Sequence, residues 1–594
     1  MPWLSIRVLT GTFLACATVI ASLELSQNPL VAGVGYAGSG RRAITPEFSA
    51  YLEEVLINAT IPGVAIGIVH RRGDKPDYEL AAWGRKTEQS DGHDLTPDSL
   101  FGLASVSKAF LVSSLGVLME DFAARRNVTA LPRAMTRFDW DTKVSDLLPG
   151  EWALADTWAS EKASLRDVLS HVSGLPRHDF SYGSGDGPGD VVRRLRYLRP
   201  VYELREQWSY NNQMFMLGAH IVTKYAGIPY TAFASNRIFA PLNMSTTTFW
   251  PQEAAPRLTQ SWTNFGRRVP FWFPDEMVEL NAGPGGVISS AEDMVKWVAT
   301  LLNEGVDPVT NRTIVPLATF NAMTTAYAVS RGVSDVSIPE LSIEGYGMGW
   351  FRESYEGHDI LSHTGAIPGF STQVAFLPAD DLGIVILANA DDKAVANAAI
   401  MYRIIEDVLG SSRVDRPVTS DVEPDTNTET EHRGGGKRDL TLALEDYAGT
   451  YGNLGYGAIT LCAPDSDSHL CTSVLADFAP FEHFGNGSAP ETRLYAAFPR
   501  VWATHLRLTR LRSEEFAIIA TALFPRGYGQ NKSAFETWEP ATSEGRAVFM
   551  VEEEEGKQRV KGFSLIIHAE ATEYRKRRGL SGVKDLEDAW FEKV

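Results

Sequence analysis

A stretch beyond the middle of this sequence divides it into two blocks that are each rich in core-forming residues. Residues 411–438 contain no aromatic residue and only three valines among Ser, Thr, Asp, Glu, Pro, Arg and Gly. A segment of this composition cannot bury enough apolar surface to offset the entropy lost on ordering, so it is typical of a linker. The sequence therefore predicts a domain over residues 45–410, a disordered linker over 411–439 and a second domain over 440–594.

The first block has the hydrophobic patterns of a domain that mixes helices and strands. Four apolar runs of strand length are bounded by turn residues, and we expect strands over 63–70, 78–83, 371–378 and 382–389. Apolar residues recur with helical spacing from Ser105 to Met119 and over 392–409, where Gly410 is expected to end the helix. Residues 140–300 are predicted to be mainly helical and rich in loops.

The second block carries a different pattern. Its short alternating runs begin with three tyrosines and two aliphatic residues: Tyr447, Tyr451, Tyr456, Ile459 and Leu461. Alternation with a period of two is typical of strands that bury one face. We therefore predict a β-rich domain over residues 440–594.

The first 22 residues have the parts of a secretory signal peptide. Arg7 gives the positive start, and Val8 to Ile20 form an apolar core of 13 residues that is too short to span a bilayer. Val19 and Ala21 suit the small-residue positions before a cleavage site. We expect a secreted, extracellular protein with no membrane span after cleavage, and an uncleaved anchor is the alternative.

Potential glycosylation sites and the cysteines fit the same compartment. Six Asn-x-Ser/Thr sequences predict N-glycosylation at Asn58, Asn127, Asn243, Asn311, Asn486 and Asn531. Of the three cysteines, Cys16 lies in the predicted signal peptide, which leaves Cys462 and Cys471. Disulfides persist outside the cell, so we predict a bridge between these two residues, with two unpaired thiols as the alternative.

Charge and missing motifs argue against several classes of function. The net charge of −19 argues against a nucleic-acid partner, which would favour a basic face. Neither a G-x-x-x-x-G-K-[ST] phosphate loop nor a G-x-S-x-G nucleophile elbow occurs. His171 and His178 lie near Asp179 but lack the spacing of zinc ligands, so we interpret them as structural and expect no metal ion and no cofactor.

The first candidate catalytic motif is Ser105-Val106-Ser107-Lys108, at the start of a predicted helix. The i, i+3 spacing places Ser105 and Lys108 on one helical face. A serine hydroxyl becomes a strong nucleophile when a base takes its proton, and a lysine whose pKa is lowered by burial can be that base. The helix N-terminus adds backbone N–H groups where an oxyanion would form. The motif alone is unspecific, because an ordinary surface helix can begin in the same way.

The second motif is Tyr210-Asn211-Asn212. A tyrosine near a lysine can share its proton and act as general acid or base. An asparagine such as Asn212 can orient the lysine and hydrogen-bond a substrate amide. A loop tyrosine followed by a capping asparagine is the ordinary structural interpretation.

The third motif is His363-Thr364-Gly365, followed by Ala366 and then by the predicted strand pair. A glycine on a strand allows substrate backbone to approach closely. The ordinary structural interpretation is a histidine at a strand edge that makes a local contact.

In this order and at these spacings, the three motifs resemble the S-x-x-K, Y-x-N and K/H-T-G fingerprints of the serine β-lactamase and penicillin-binding-protein superfamily. The likeness is greatest to the class C β-lactamase-like branch, which includes D-aminopeptidases and esterases, and it covers about residues 45–410. It implies an α+β fold, an α/β/α sandwich around a central antiparallel sheet. The Tyr447-Ala448-Gly449-Thr450-Tyr451 segment resembles the lipocalin-like barrel appended to some of these relatives, so the second domain is expected to be such a barrel.

The resemblance also implies roles for individual residues. Ser105 would be the nucleophile, and Lys108 and Tyr210 would activate it and protonate the leaving group. The substrate-binding residues would be Asn212, His363, Thr364, Gly365 and Ala366. The backbone N–H groups of Ser105 and Ala366 would form an oxyanion hole.

One residue departs from the commoner form of the family pattern. His363 takes the lysine position of K-T-G, so a permanent cation is replaced by a group that ordinarily titrates near pH 6.5. A cation at this position would bind the carboxylate of a β-lactam. Its replacement argues against efficient β-lactam hydrolysis and favours esters, amides or D-peptides.

The sequence thus predicts a secreted serine hydrolase that forms an acyl-enzyme on a small-molecule or short-peptide substrate. Two alternatives remain: an acyltransferase that tailors a natural product with the same serine, and a non-catalytic binding protein on this fold. Specificity is expected to lie in the loops at 181–200 and 265–282. Four aromatic residues suggest either an apolar acyl site or ordinary core packing: Trp208, Phe271, Trp272 and Phe273.

Overall fold

The computed structural model describes residues 41–72, 75–89, 94–133, 135–334, 338–419, 440–482, 492–537 and 544–594. The predicted signal peptide (1–22), residues 420–439 of the predicted linker and the predicted glycosylation site Asn486 lie outside the described residues. All the described residues belong to one compact unit of the chain.

The described strands form two large antiparallel sheets of eight strands each and three two-stranded pairs. In chain order, β1 to β22 are Gly63–Arg72, Lys75–Gly84, Phe101–Gly102, Ser261–Trp262, Arg268–Val269, Ile288–Ser289, Ala328–Arg331, Glu344–Tyr346, Phe351–Tyr355, His358–Ile367, Phe370–Leu377, Leu382–Ala388, Gly449–Asn453, Gly457–Leu461, Arg493–Ala497, His505–Arg512, Glu515–Thr521, Leu523–Phe524, Phe535–Glu536, Gly545–Glu554, Lys557–Ile566 and Ala589–Lys593.

The first large sheet has the order β2-β1-β12-β11-β10-β9-β8-β7. Successive side chains of a strand point to opposite faces, and in β1 both sets are buried. Val64, Ile66 and Ile68 belong to one apolar cluster. Ala65 and Val69 belong to another. A sheet buried on both faces must lie between two layers of other elements, which here are helices.

The α-helices differ in length from one turn to more than four. In chain order, those described, α1 to α17, are Pro46–Asn58, Lys108–Ala123, Val144–Leu147, Thr157–Lys162, Leu165–Leu169, Pro188–Arg194, Gln213–Ala226, Tyr230–Ala234, Pro251–Ala254, Val278–Gly285, Ala291–Leu302, Leu317–Thr324, Ala394–Leu409, Leu444–Tyr447, His469–Phe478, Ala569–Arg577 and Val583–Leu586. Short 3₁₀ segments occur at Ala104–Ser107, Asp179–Ser181, Leu195–Tyr197 and Asp275–Met277, and a π-helical turn at Ser235–Phe239.

Helices cover both faces of the first sheet. Phe48 and Leu52 of α1 and Ile400 and Ile404 of α13 share a cluster with β1 and β12. On the opposite face, α11 packs against β1 and β12, and α2 lies beyond it against α7, α10 and α12. This arrangement confirms the predicted α/β/α sandwich with a central antiparallel sheet.

Local predictions in this region are borne out closely. The two strand pairs are β1–β2 and β11–β12, and the predicted helix over 392–409 is α13. Gly410 follows α13 with a φ of 80°, a left-handed conformation that favours glycine. Helix α1 was not predicted; Thr45 caps it by accepting a hydrogen bond from the backbone N–H of Phe48.

The beginning of the predicted linker is fastened to the first block. Residues 411–419 form no helix or strand. Arg416 nevertheless forms a buried ion pair with Glu406 of α13 at 2.6 Å. Arg413 pairs with Asp407 at 2.8 Å. These contacts hold the chain against α13 for at least six residues after Gly410.

The second large sheet is a nearly closed barrel with the order β14-β13-β22-β21-β20-β17-β16-β15. Its ends meet where Cys462, just after β14, exchanges two backbone hydrogen bonds with Tyr495 of β15. The predicted disulfide between Cys462 and Cys471 is present, with 5.4 Å between the Cα atoms, and it ties this closure to α15. The β-rich prediction for this region is therefore confirmed, although α15 and α16 were not foreseen.

The barrel contacts the first block through polar groups, some exposed and some buried. Arg199 donates hydrogen bonds to the carbonyls of Lys584 and Glu587. His178 lies within hydrogen-bonding distance, 2.7 Å, of the Tyr456 hydroxyl. Within the described residues, no helix combines the length and apolar character needed to cross a bilayer.

Candidate active site

Ser105 lies where a strained turn becomes a helix. Ala104 has a φ of 50°, an unfavourable left-handed conformation for alanine, and it opens the 3₁₀ turn that leads into α2. The first N–H groups of such a helical segment have no acceptor within it, so they are available to another group. Ser105 and Lys108 lie one turn apart, as the sequence predicted.

Lys108 is completely buried, and its amine touches three oxygen atoms. Nζ lies 3.1 Å from Ser105 Oγ, 2.9 Å from Asn212 Oδ1 and 2.8 Å from the carbonyl of Pro284. Burial, assisted by the positive charge of Arg177, holds the pKa of Lys108 well below its usual range.

This environment suits a neutral amine. A neutral amine has two N–H donors and one lone pair, whereas an ammonium has three donors. The oxygens of Asn212 and Pro284 can only accept, so they take the two donors. The lone pair then faces Ser105 Oγ, which can donate its proton to Lys108.

Tyr210 contacts the same hydroxyl from another side. Its OH donates a hydrogen bond to Ser105 Oγ at 2.8 Å. Burial raises the pKa of Tyr210 far above neutrality, so the phenol keeps its proton. The Lys108 amine lies 4.7 Å from the centre of the Tyr210 ring. This arrangement suits Lys108 to act as the base and Tyr210 to return a proton.

Asn212 is held in place by an acidic residue that the sequence did not single out for the site. Its Nδ2 donates to Asp179 Oδ1 at 3.3 Å, and Tyr182 donates to the same oxygen at 2.6 Å. Arg177 Nε donates to the other carboxylate oxygen at 2.8 Å. Burial opposes the charged form of Asp179, but the Arg177 charge and these donors lower its pKa, so it is an anion.

The third motif lies on β10, but only part of it faces the site. Ala366 lines the pocket beside Ser105. Thr364 is exposed on the same strand, whereas His363 is buried. Strand β9 pairs with β10 only as far as Ser362, so the strand edge beyond that residue is open on this side.

His363 differs from the expectation that it titrates near neutrality. Its Nε2 lies 3.2 Å from the Tyr346 hydroxyl and its Nδ1 lies 2.6 Å from the carbonyl of Thr364. Burial, together with the charge of Lys108, lowers the pKa of His363 to about 3. The imidazole is therefore neutral at any pH at which the protein is expected to work, and it carries no positive charge toward a substrate.

Gly365 serves a close contact within the protein. A Cβ at this position would lie 2.2 Å from the carbonyl oxygen of Leu103 and 2.2 Å from Thr372 Oγ1. The strand thus lies directly against the turn that precedes Ser105. Gly365 thus lets β10 approach the turn that carries Ser105, in addition to the approach of substrate that the sequence predicted.

Replacing Gly365 with alanine is therefore expected to displace the Ser105 turn and lower kcat/KM at least tenfold, with a lower melting temperature. Steady-state kinetics and thermal unfolding would measure both effects. Gly185 is a matched control, because a Cβ there meets no atom within 4 Å. Equal activity in Gly365→Ala and Gly185→Ala would contradict the proposed contact.

A small pocket adjoins Ser105. Its apolar wall contains Met216, Phe273, Ile367 and Trp502. Trp502 comes from the barrel, where it donates a hydrogen bond to the Tyr182 hydroxyl at 3.2 Å and packs edge-on against Phe273. The barrel therefore supplies part of the wall of the pocket.

The four aromatic residues named from the sequence have different roles. Phe273 lines the pocket. Trp208 packs against Tyr346 and Phe351, and Phe271 packs against Phe370. Trp272 donates a hydrogen bond to the carbonyl of Val501 at 2.8 Å. Both loops that the sequence predicted to set specificity line the pocket. Tyr182 comes from residues 181–200, and Phe273 and Asn281 come from residues 265–282.

Replacing Trp502 with alanine is expected to enlarge the pocket and change the preferred acyl length. We expect the ratio of kcat/KM for a long-chain ester over an acetyl ester to rise about tenfold, since one large side chain is removed from an apolar wall. Trp158, which is half-exposed on α4, is the control position. An unchanged ratio in Trp502→Ala would show that the barrel does not limit substrate size.

Comparison with known proteins places this geometry in a family. A family model described as Beta-lactamase matches residues 48–408, which is more than half of the chain. The chain belongs to the Beta-lactamase family. This family, with the Ser105–Lys108–Tyr210 hydrogen bonds, makes the protein a β-lactamase-related serine hydrolase, as the sequence predicted.

Several similar proteins match a large part of the chain. A protein named Unguisins hydrolase ungD' of Aspergillus campestris is 27% identical over 384 residues, covering 62% of this chain and 67% of the relative. Unguisins hydrolase ungD of Aspergillus violaceofuscus is 27% identical over 460 residues, covering 71% and 77%. The structure of the octameric penicillin-binding protein homologue from Pyrococcus abyssi matches with a TM-score of 0.51 at 16% identity, covering 85% of this chain and 96% of that one. The last likeness supports the fold alone.

Proposed function

We propose that this protein is a secreted serine hydrolase that cleaves an ester, an amide or a D-peptide through an acyl-enzyme on Ser105. The observation that carries the proposal is the set of three oxygens around the Lys108 amine. Two of them take its donors, which leaves the lone pair for the Ser105 proton.

The first half of the reaction forms the acyl-enzyme. Ser105 Oγ attacks the substrate carbonyl carbon while its proton passes to Lys108 Nζ. The negative charge that develops on the carbonyl oxygen faces the backbone N–H groups of Ser105 and Ala366. When the tetrahedral intermediate collapses, the leaving group takes a proton from Lys108 or Tyr210, and an ester joins the acyl group to Ser105.

The second half restores the serine. A water molecule attacks the acyl carbon and gives one proton to Lys108 Nζ, the atom that took the Ser105 proton in the first half. The Ser105–acyl bond breaks, Ser105 Oγ regains a proton, and the carboxylic acid product leaves. The similarity to two proteins named hydrolases supports water as the acceptor.

The chemistry at β10 bears on the substrate class. A neutral His363 offers no charge for the carboxylate of a β-lactam at the position where family members with K-T-G carry a lysine. We therefore propose esters, amides or D-peptides as substrates in preference to β-lactams. The apolar pocket wall supports an acyl group with an apolar portion.

Secretion is supported by two independent features. The signal-like N-terminus was identified from the sequence, and the Cys462–Cys471 disulfide favours an oxidising compartment. Of the described glycosylation positions, Asn58, Asn243, Asn311 and Asn531 are exposed, and Asn127 is half-buried. Recovery of glycosylated protein from the culture medium, lost on deletion of residues 1–22, would test the proposed location.

A substrate panel tests the activity itself. The wild-type protein and Ser105→Ala would be compared on 4-nitrophenyl esters, D-amino-acid amides and a chromogenic cephalosporin, with and without added alcohol or amine acceptors. We expect turnover of an ester or amide that depends on Ser105 and weak or no turnover of the cephalosporin. Product formed only with an added acceptor would instead identify an acyltransferase.

A further inference from the structure

The pocket beside Ser105 has one charged lining residue among those described, and this is Arg177. Lys108 is buried behind Ser105 with a pKa well below its usual range, and His363 is neutral. The pocket therefore receives its positive charge from Arg177, which lies on a different wall from the strand that carries the family's K-T-G position.

The guanidinium of Arg177 is fixed by its neighbours on one side and exposed to solvent on the other. Its Nε donates to Asp179 at 2.8 Å, and its guanidinium carbon lies 5.0 Å from the centre of the Tyr210 ring. Asp179 is itself fixed by Tyr182 and Asn212. These contacts fix the plane of the guanidinium beside the nucleophile.

The terminal nitrogens of Arg177 make no hydrogen bond to any described residue. The side chain is 52% exposed even though Asp179, its partner, is only 16% exposed. A planar guanidinium with two free nitrogens matches the two oxygens of a carboxylate. The donors are ordered in advance by Tyr210 and Asp179, so binding requires little loss of side-chain entropy.

We propose that Arg177 binds a carboxylate of the substrate, so that the enzyme prefers acyl compounds with an acidic group near the scissile bond. This inference rests on the proposed function, since it concerns the substrate of the same serine. The carboxylate can belong to the acyl part or to the leaving group. Both sources present the same chemistry to Arg177, and matched substrates distinguish them.

The test uses two pairs of esters that differ only in charge. The first pair places the charge in the acyl group, as the 4-nitrophenyl monoesters of glutaric acid and of its monoamide. The second pair places it in the leaving group, as the pentanoyl esters of 4-hydroxybenzoic acid and 4-hydroxybenzamide. The measured quantity is the ratio of kcat/KM for the charged over the neutral member of each pair.

In the wild-type protein we expect this ratio to exceed ten in one of the two pairs, a gain in the range of a charge-assisted hydrogen-bonded pair, about tenfold to a hundredfold. Arg177→Gln should bring the ratio to about one, and Arg177→Glu should invert it. Arg177→Lys should retain part of the preference. Because Arg177 also influences the pKa of Lys108, all rates will change, but that effect cancels in the ratio.

Arg137→Gln is the matched control, because Arg137 pairs through Nε with an aspartate two residues on, as Arg177 does, but is exposed and lies outside the pocket beside Ser105. Its ratio should equal that of the wild type. A wild-type ratio near one in both pairs, or a preference that survives in Arg177→Gln, would overturn the proposal.

A binding measurement separates this proposal from the catalytic one. In Ser105→Ala, calorimetry would compare glutaranilic acid with its primary amide, and 4-(pentanoylamino)benzoic acid with 4-(pentanoylamino)benzamide. The same comparisons would be made in the double variant that also carries Arg177→Gln. Tighter binding of one acid than of its matched amide, lost with Arg177→Gln, supports the anchor even if no ester is turned over. Equal binding of acid and amide in both pairs overturns the anchor and leaves the role of Ser105 unaffected.

Discussion

Replacing Ser105 with alanine is expected to lower kcat for ester or amide hydrolysis by on the order of 10⁴-fold or more, because it removes the hydroxyl proposed to form the acyl-enzyme. Ser105 Oγ is the atom on which the Lys108 amine and the Tyr210 hydroxyl converge. The substitution removes one small, half-buried hydroxyl, so the fold and the pocket should persist. Substrate binding is therefore expected to change far less than kcat.

The control for this substitution is a second serine of the same segment. Ser114 on α2 donates its hydroxyl to the carbonyl of Phe110 and does not line the pocket. Ser114→Ala should keep nearly full activity. Residual turnover above about one per cent in Ser105→Ala, at normal purity, would place the nucleophile elsewhere.

Replacing Lys108 with methionine is expected to lower kcat by about 10²- to 10⁴-fold, the range contributed by a general base. Methionine fills a similar volume without a lone pair that can take the serine proton. The gain from removing a buried amine is opposed by the loss of its hydrogen bonds to Asn212 and Pro284, so the melting temperature should change little. Full activity in Lys108→Met would contradict the assignment of Lys108 as the base.

The pH dependence gives a second readout of Lys108. The reactive amine is the neutral form, which is populated above its pKa, so activity should rise with pH through that value. Because burial and Arg177 lower the pKa of Lys108, the plateau should be reached well below pH 10.5. Arg177→Gln removes a charge that lowers this pKa, so its acid limb should move to higher pH. An identical acid limb in Lys108→Met would assign the titration to another group.

The sequence predicted the parts of the site that depend on local spacing. The i, i+3 relation of Ser105 and Lys108 follows from helix geometry alone. The sandwich followed from the likeness of three motifs, and the strands flanking the site followed from apolar runs bounded by turn residues. These predictions needed no knowledge of which distant residues meet.

The remaining features depend on contacts between distant parts of the chain. Trp502 reaches the pocket because the barrel docks there, and no local pattern marks it. The sequence marked Asp179 only as a neighbour of His171 and His178, and its pairing with Arg177 could not be predicted. The neutral state of His363 follows from burial against Tyr346 and Thr364, which a sequence does not display.

The central claim is a covalent acyl-enzyme on Ser105, and intact-protein mass spectrometry after rapid acid quench tests it most directly. The protein would be mixed with an excess of a slowly deacylating ester or a fluorophosphonate, quenched, weighed and then digested to locate the modification. We predict a mass increase of one acyl or phosphonyl group, found on the peptide that contains Ser105 and absent from Ser105→Ala. Turnover without any trapped adduct, or an adduct that persists in Ser105→Ala, would contradict the mechanism.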